Sequence, residues 1–280
     1  MNKIAIVCCS NAQLYEWQHQ NEELTNFLTS IGIETVFSKF LYAADGLQSA
    51  SAKERAEEIV EFYKDDAVEM ICDVSGGDIA NDVVDYLDFD VIANNPKTLW
   101  GYSDLTSVLN AIYTKTGNKS VLYQIKNLVY DRAEEQRKAF VDTCVNDGAA
   151  LYQFPYEFVQ GEHMEGIVVG GNIRCLLKLA GTDYFPDVTG KLLVLEAYGG
   201  ETAQMIAYLS QLRQMGVFDK INGIILGTFT RMETQGIKPT IEELVCEYVR
   251  PDLPVIKTGK IGHGSDSKGI VIGEYRKFAI

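Results

Sequence analysis

Short, wholly apolar runs separated by amphipathic stretches constrain this chain more than any other feature. The run Lys3 to Cys9, apolar from Ile4 onward, stops at Ser10-Asn11, as expected of a strand buried on both faces of a parallel sheet. The spacing then predicts helices over 16–28, 52–63, 79–87 and 105–116, with strands near 35–37, 70–74 and 98–100 between them. Strands alternating with helices in this way require right-handed crossovers, hence a doubly wound parallel sheet of the Rossmann or flavodoxin-like kind. Ligands of such sheets lie at the carboxyl ends of the strands.

Beyond Gly117 the rhythm weakens. A charged amphipathic helix over 131–145 leads into aromatic-rich 152–158, and a linker is expected within 155–165. A second α/β unit follows, with strands at 166–170, 192–195 and 221–226, helices at 172–179, 202–215 and 241–249, and short strands at 254–258 and 270–272. The expected division is therefore an N-terminal domain, 1–155, and a smaller C-terminal α/β domain, 165–280. A chain of 280 residues can bury about 73% of its unfolded surface, enough for one large core or two ordinary ones.

Composition removes several functional classes. Apolar residues at 46% and charged residues at 23% exclude a disordered or disulfide-stapled chain. With 25 Lys+Arg against 39 Asp+Glu the net charge is −14, which argues against nucleic acid as a partner. The six cysteines show no C-x-x-C and no His at metal spacing, so they read as buried thiols in a reducing compartment, with no metal and no cofactor expected. No run approaches 18 apolar residues, and the opening apolar run is too short for a signal peptide, so no membrane span and a cytoplasmic location are expected.

Four places could carry chemistry. His19 and His163 fall in polar surroundings and read as surface residues, whereas His263 is bracketed by Gly262 and Gly264 directly after a strand. It is either a loop histidine bonded to backbone or a general base. Ser103 follows an apolar strand through Gly101-Tyr102 and precedes a helix, the context of a nucleophile elbow, although Leu105 breaks the full G-x-S-x-G pattern and a helix-capping role remains open. Gly76-Gly77-Asp78 ends another strand in small residues whose amides could face a ligand; G-x-G-x-x-G and the P-loop motif are both absent. Glu196 closes the apolar run 192–195, either as a solvated strand end or as a buried carboxylate partnered by an imidazole.

These blocks occur in one order: Gly76-Gly77-Asp78, Asn95-Pro96-Lys97, Gly101-Tyr102-Ser103-Asp104, Gly170-Gly171-Asn172, Leu195-Glu196 and Gly262-His263. Together they resemble the LD-carboxypeptidase family, which holds murein tetrapeptide LD-carboxypeptidases and the microcin C immunity proteins. The resemblance implies Ser103 as nucleophile, His263 as general base and Glu196 as the group that orients the imidazole; with Ser103 in the first domain and the other two in the second, it implies an active site in the interdomain cleft. It also implies the Gly77 and Asp104 amides as oxyanion hole, a homodimer, and a small peptide or peptide-like substrate ending in a D-amino acid. Asp78, Tyr102 and Arg174 become candidates for substrate binding, with Arg174 and Lys97 as cations for the substrate carboxylate. The chain departs from the family pattern at Cys8-Cys9-Ser10, where Ala-Pro-Ser is usual, and at 121–127, where an aromatic-Gly-Pro segment is expected.

The first expectation is accordingly a serine carboxypeptidase acting on a murein tetrapeptide in cell-wall recycling. A microcin immunity-type hydrolase of aminoacyl-sulfamoyl or phosphoramidate adenylates is the alternative; its relatives carry a longer loop than 197–202 supplies. Two further readings are a non-catalytic binding module with a ligand gripped in the cleft, and an enzyme using Cys8 or Cys9 as nucleophile.

Overall fold

The computed structural model describes all residues, 1–280. The N-terminal half contains β1 (Lys3–Val7), α1 (Gln18–Ser30), β2 (Glu34–Phe37), α2 (Ala52–Lys64), β3 (Met70–Asp73), α3 (Phe89–Asn94), β4 (Thr98–Gly101), α4 (Thr106–Thr116), β5 (Ser120–Leu122) and α5 (Ala133–Cys144). Strands β2-β1-β3-β4-β5 are parallel in that order. This is the flavodoxin-like order, whose direction reverses between β1 and β3 and opens a crevice at their carboxyl ends. Strand β1 shows why the sheet is covered on both sides. Ile4 and Ile6 pack with Leu24 and Leu28 of α1, whereas Ala5 and Val7 pack with Ala56 and Ile59 of α2. Each buried Ile, Leu or Val among them contributes about 1.5–3 kcal/mol.

The C-terminal half contains β6 (Glu157–Gln160), β7 (His163–Asn172), α6 (Ile173–Leu177), β8 (Leu192–Ala197), α7 (Thr202–Gln214), α8 (Val217–Lys220), β9 (Gly223–Phe229), α9 (Thr230–Thr234), α10 (Ile241–Tyr248), β10 (Val255–Lys257), β11 (Ile270–Ile272) and β12 (Tyr275–Ala279). Its sheet runs β12-β7-β8-β9-β10-β6, four parallel strands flanked by two antiparallel edges. One face carries Leu193, Leu195, Met205 and Leu209 in a core of its own. The other face, with Val168, Val194 and Ile225, shares a core with Val108, Ala111 and Ile112 of α4. The two α/β units are therefore joined through α4.

Four strands differ from the sequence expectation. β6 occupies the stretch expected to be a linker, and β12 and β5 were not foreseen. β6 and β12 are edge strands with alternating exposure, and β5 has three residues, so none presents a long apolar run. β11, expected in the second unit, pairs antiparallel with β5 at the edge of the first sheet. The chain thus returns to its first domain after leaving it.

Candidate active site

β4 delivers Ser103 to the cleft through an abrupt change of backbone. Tyr102 is extended, Ser103 turns to φ +52°, and one turn of 3₁₀ helix at Ser103–Leu105 leads into α4. Only one other non-glycine residue, Asp147, has a positive φ. A serine held there costs about 1–3 kcal/mol, which the buried strand and helix on either side must offset. The capping role is not taken: neither the 3₁₀ turn nor α4 receives a side-chain cap.

Glu196, at the end of β8, is 1% exposed. Its Oε1 accepts from Asn172 Nδ2 at 2.9 Å, and its Oε2 lies 2.7 Å from His263 Nδ1. These two donors are what a buried carboxylate requires. With Nδ1–H donating to the carboxylate, the neutral ring presents Nε2 as an acceptor. Gly262, at φ +140°, lets the His263 loop pass over Glu196; a Cβ there would strike Thr228 and crowd the carboxylate. The imidazole sits between the rings of Tyr102 at 5.4 Å and Tyr198 at 5.1 Å. The structure thus brings Ser103, Glu196 and His263 to one place. The hydrogen bond between His263 and Glu196 is formed, and none joins His263 to Ser103.

Both residues line a cleft of about 1090 Å³ at the carboxyl ends of the two sheets. Gly76-Gly77-Asp78 forms one lip, held by the Asn11 side chain, which accepts from the Asp78 N–H at 2.8 Å. Gly77 has φ +130°, and any side chain there would collide with Asn11. The N–H groups of Gly77 and Asp104 have no backbone acceptor. Asp78, Tyr102 and Arg174 all line the cleft. Arg174 is paired with the Asp78 carboxylate and also donates to Gly77 O at 3.2 Å, while buried Asp104 is paired with Lys178. Lys97 is not part of the cleft: its ammonium donates to the carbonyls of Phe62 and Asp65 at the end of α2. No group of three or more His, Cys, Asp or Glu is placed to hold a metal ion.

One cleft residue was missed. Lys126 follows β5 and is 2% exposed, with its ammonium directed to Gln13 and Gln20. Burial lowers it to about 8, so the group remains charged at neutral pH. In the sequence it stands beside Asn127 within 125–129, in the segment that departs from the family pattern, and nothing local marks it as buried. Cys8 and Cys9 are buried, and burial pushes the Cys8 thiol up to about 12 and the Cys9 thiol well above its ordinary value. Neither supplies a thiolate at neutral pH. His19 and His163 are exposed on the surface.

α4 fixes the halves of the cleft to each other. Asn110 both donates to Gly170 O and accepts from Gly170 N, each at 2.9 Å, and Thr106 Oγ1 accepts from Asn172 N at 2.9 Å. Since Asn172 also holds Glu196, a short polar chain leads from the helix after Ser103 to the imidazole.

Residues 4–124 match the LD-carboxypeptidase N-terminal domain and residues 165–277 the LD-carboxypeptidase C-terminal domain. The chain is 26% identical to the microcin C7 self-immunity protein MccF of Escherichia coli over 296 residues, covering 89% of this chain and 86% of that protein. It is 28% identical to a probable murein peptide carboxypeptidase of Bacillus subtilis over 261 residues, covering 88% of this chain and 80% of that one. Its fold superposes on MccF solved in complex with glutamyl sulfamoyl guanosine with a TM-score of 0.86, at 23% identity, covering 99% of this chain and 92% of that one.

Proposed function

The chain belongs to the LD-carboxypeptidase family and is a serine-type, peptidase-like hydrolase, and from this premise we propose that it releases a C-terminal D-amino acid from a small murein-type peptide. The observation that carries the reading is the buried Glu196–His263 pair sharing one cleft with a serine held at positive φ. In this reading Ser103 is the nucleophile. The mechanism requires its Oγ to come within hydrogen-bond reach of His263 Nε2. His263 takes the hydroxyl proton as Oγ attacks the carbonyl carbon. The Gly77 and Asp104 N–H groups receive the oxyanion, each worth about 2.7–4 kcal/mol of barrier. As the C–N bond breaks, His263 passes its proton to the leaving amine; water then cleaves the acyl-enzyme by the same route in reverse. Glu196 stabilises the imidazolium throughout.

The cleft volume of about 1090 Å³ suits a substrate of several residues rather than a single amino acid. It also suits a second substrate class. Tyr198 is 64% exposed at the cleft rim beside His263, an open aromatic face for a nucleobase, and this favours an aminoacyl-sulfamoyl adenylate as the second reading.

Mass spectrometry of the protein incubated with a murein tetrapeptide, and separately with aspartyl sulfamoyl adenosine, tests both. Loss of D-alanine from the first is expected, and Ser103→Ala should reduce it about 10⁴- to 10⁶-fold while the fold is retained. Turnover preserved in Ser103→Ala would overturn the assignment.

A further inference from the structure

We propose that the ammonium of Lys126 is the point at which this enzyme holds a substrate carboxylate. This rests on the reading that the cleft binds a peptide or acyl substrate, and it supplies the cation that such a substrate needs.

The cleft wall contains two basic side chains, Arg174 and Lys126. Arg174 is already neutralised by Asp78. Lys126 is different: both of its acceptors, Gln13 Oε1 and Gln20 Oε1, are neutral amide oxygens. An ammonium has three N–H donors, and two are used here. Buried charges are ordinarily paired, because desolvation of an unpaired ion is costly. A side chain 2% exposed, charged and without a carboxylate is therefore a cation kept for something that arrives from outside.

Its surroundings fit an anion of small size. The Trp17 ring lies 5.5 Å from the ammonium and screens it on one side. Gln13 Nε2 is tied to Val74 O at 2.9 Å, so the amide oxygen keeps facing Lys126 and the lysine is held in place. Lys126 also stands on the turn that leaves β5, beside β4, whose end carries Ser103, and both residues line the same cleft. A carboxylate on Lys126 is thus anchored in the cavity where the carbonyl is attacked.

The carboxylate has two possible sources, a peptide C-terminus or an acidic side chain, and paired ligands separate them. Binding is measured calorimetrically in Ser103→Ala protein, which removes turnover. The first pair is acetyl-L-lysyl-D-alanine and its C-terminal amide; the second is aspartyl and asparaginyl sulfamoyl adenosine. The acid of one pair is expected to bind roughly 10- to 100-fold more tightly than its neutral partner, as a charge-assisted hydrogen bond gives. That preference should disappear in Lys126→Met. It should also disappear in Gln13→Glu, which places a carboxylate beside the ammonium and keeps the lysine satisfied if Lys126→Met fails to fold. Whichever pair shows the preference identifies the source. Equal binding of acid and amide in both pairs, or a preference that survives both substitutions, overturns the proposal. Failure of the serine mechanism is read separately, from the activity of the protein with Ser103 intact.

Discussion

Ser103 is held at φ +52° with its hydroxyl capping neither following helix, so its geometry is the local cost of presenting an oxygen to the cleft. Glu196 and His263 meet through a single short contact, and in the proposed mechanism the carboxylate's charge stabilises the imidazolium. Glu196→Gln keeps the shape but offers an amide in its place. It should lower kcat roughly 10⁴-fold with little change in thermal stability, as steady-state kinetics and a melting curve would record. The thiols are the control. Alkylation of the native protein at neutral pH should leave Cys8 and Cys9 unmodified in a peptide map and activity unchanged, since burial holds both thiols protonated. At this scale the positions of Ser103 and Glu196 were legible because each stands at the end of an apolar strand, where an isolated polar residue stands out, and that of His263 because glycines bracket it in the loop after β10. Lys126 was not, because a lysine's burial is decided by what packs over it, here Gln13, Trp17 and Gln20 from the other end of the domain.

Helix α4 carries two tasks, filling the shared core with one side and fixing β7 with the other. Asn110 satisfies both backbone groups of Gly170 in a place without solvent, and Thr106 satisfies the Asn172 N–H. Asn110→Ala leaves those groups of Gly170 without partners and should cost about 2–4 kcal/mol in chemical denaturation. The alternation of buried strands with amphipathic helices gave away the parallel strands of both sheets, because strands covered on two faces are apolar throughout. It could not give away β6, β12 or the returning β11. Edge strands bury one face at most, and the placement of β11 against β5 is a pairing across almost 150 residues of chain, visible only once the sheet exists.

The molecule as a whole is two sheets joined by one helix and closed by a returning strand. Gln136 donating to Ser267 O at 3.0 Å, and Gly269 donating to Leu151 O at 2.9 Å, tie the His263 loop back to the first half. A shared core and these cross-ties predict one cooperative transition in scanning calorimetry, with calorimetric and van't Hoff enthalpies equal; two resolved transitions would mean that the halves unfold independently. The same ties hold the His263 loop against the half that carries Ser103. The most direct measurement is treatment of the protein with a fluorophosphonate, followed by intact mass and peptide mapping. One adduct per chain, on Ser103, formed far more slowly in His263→Ala, is the result this account predicts. No adduct, or an adduct on another residue, would contradict it.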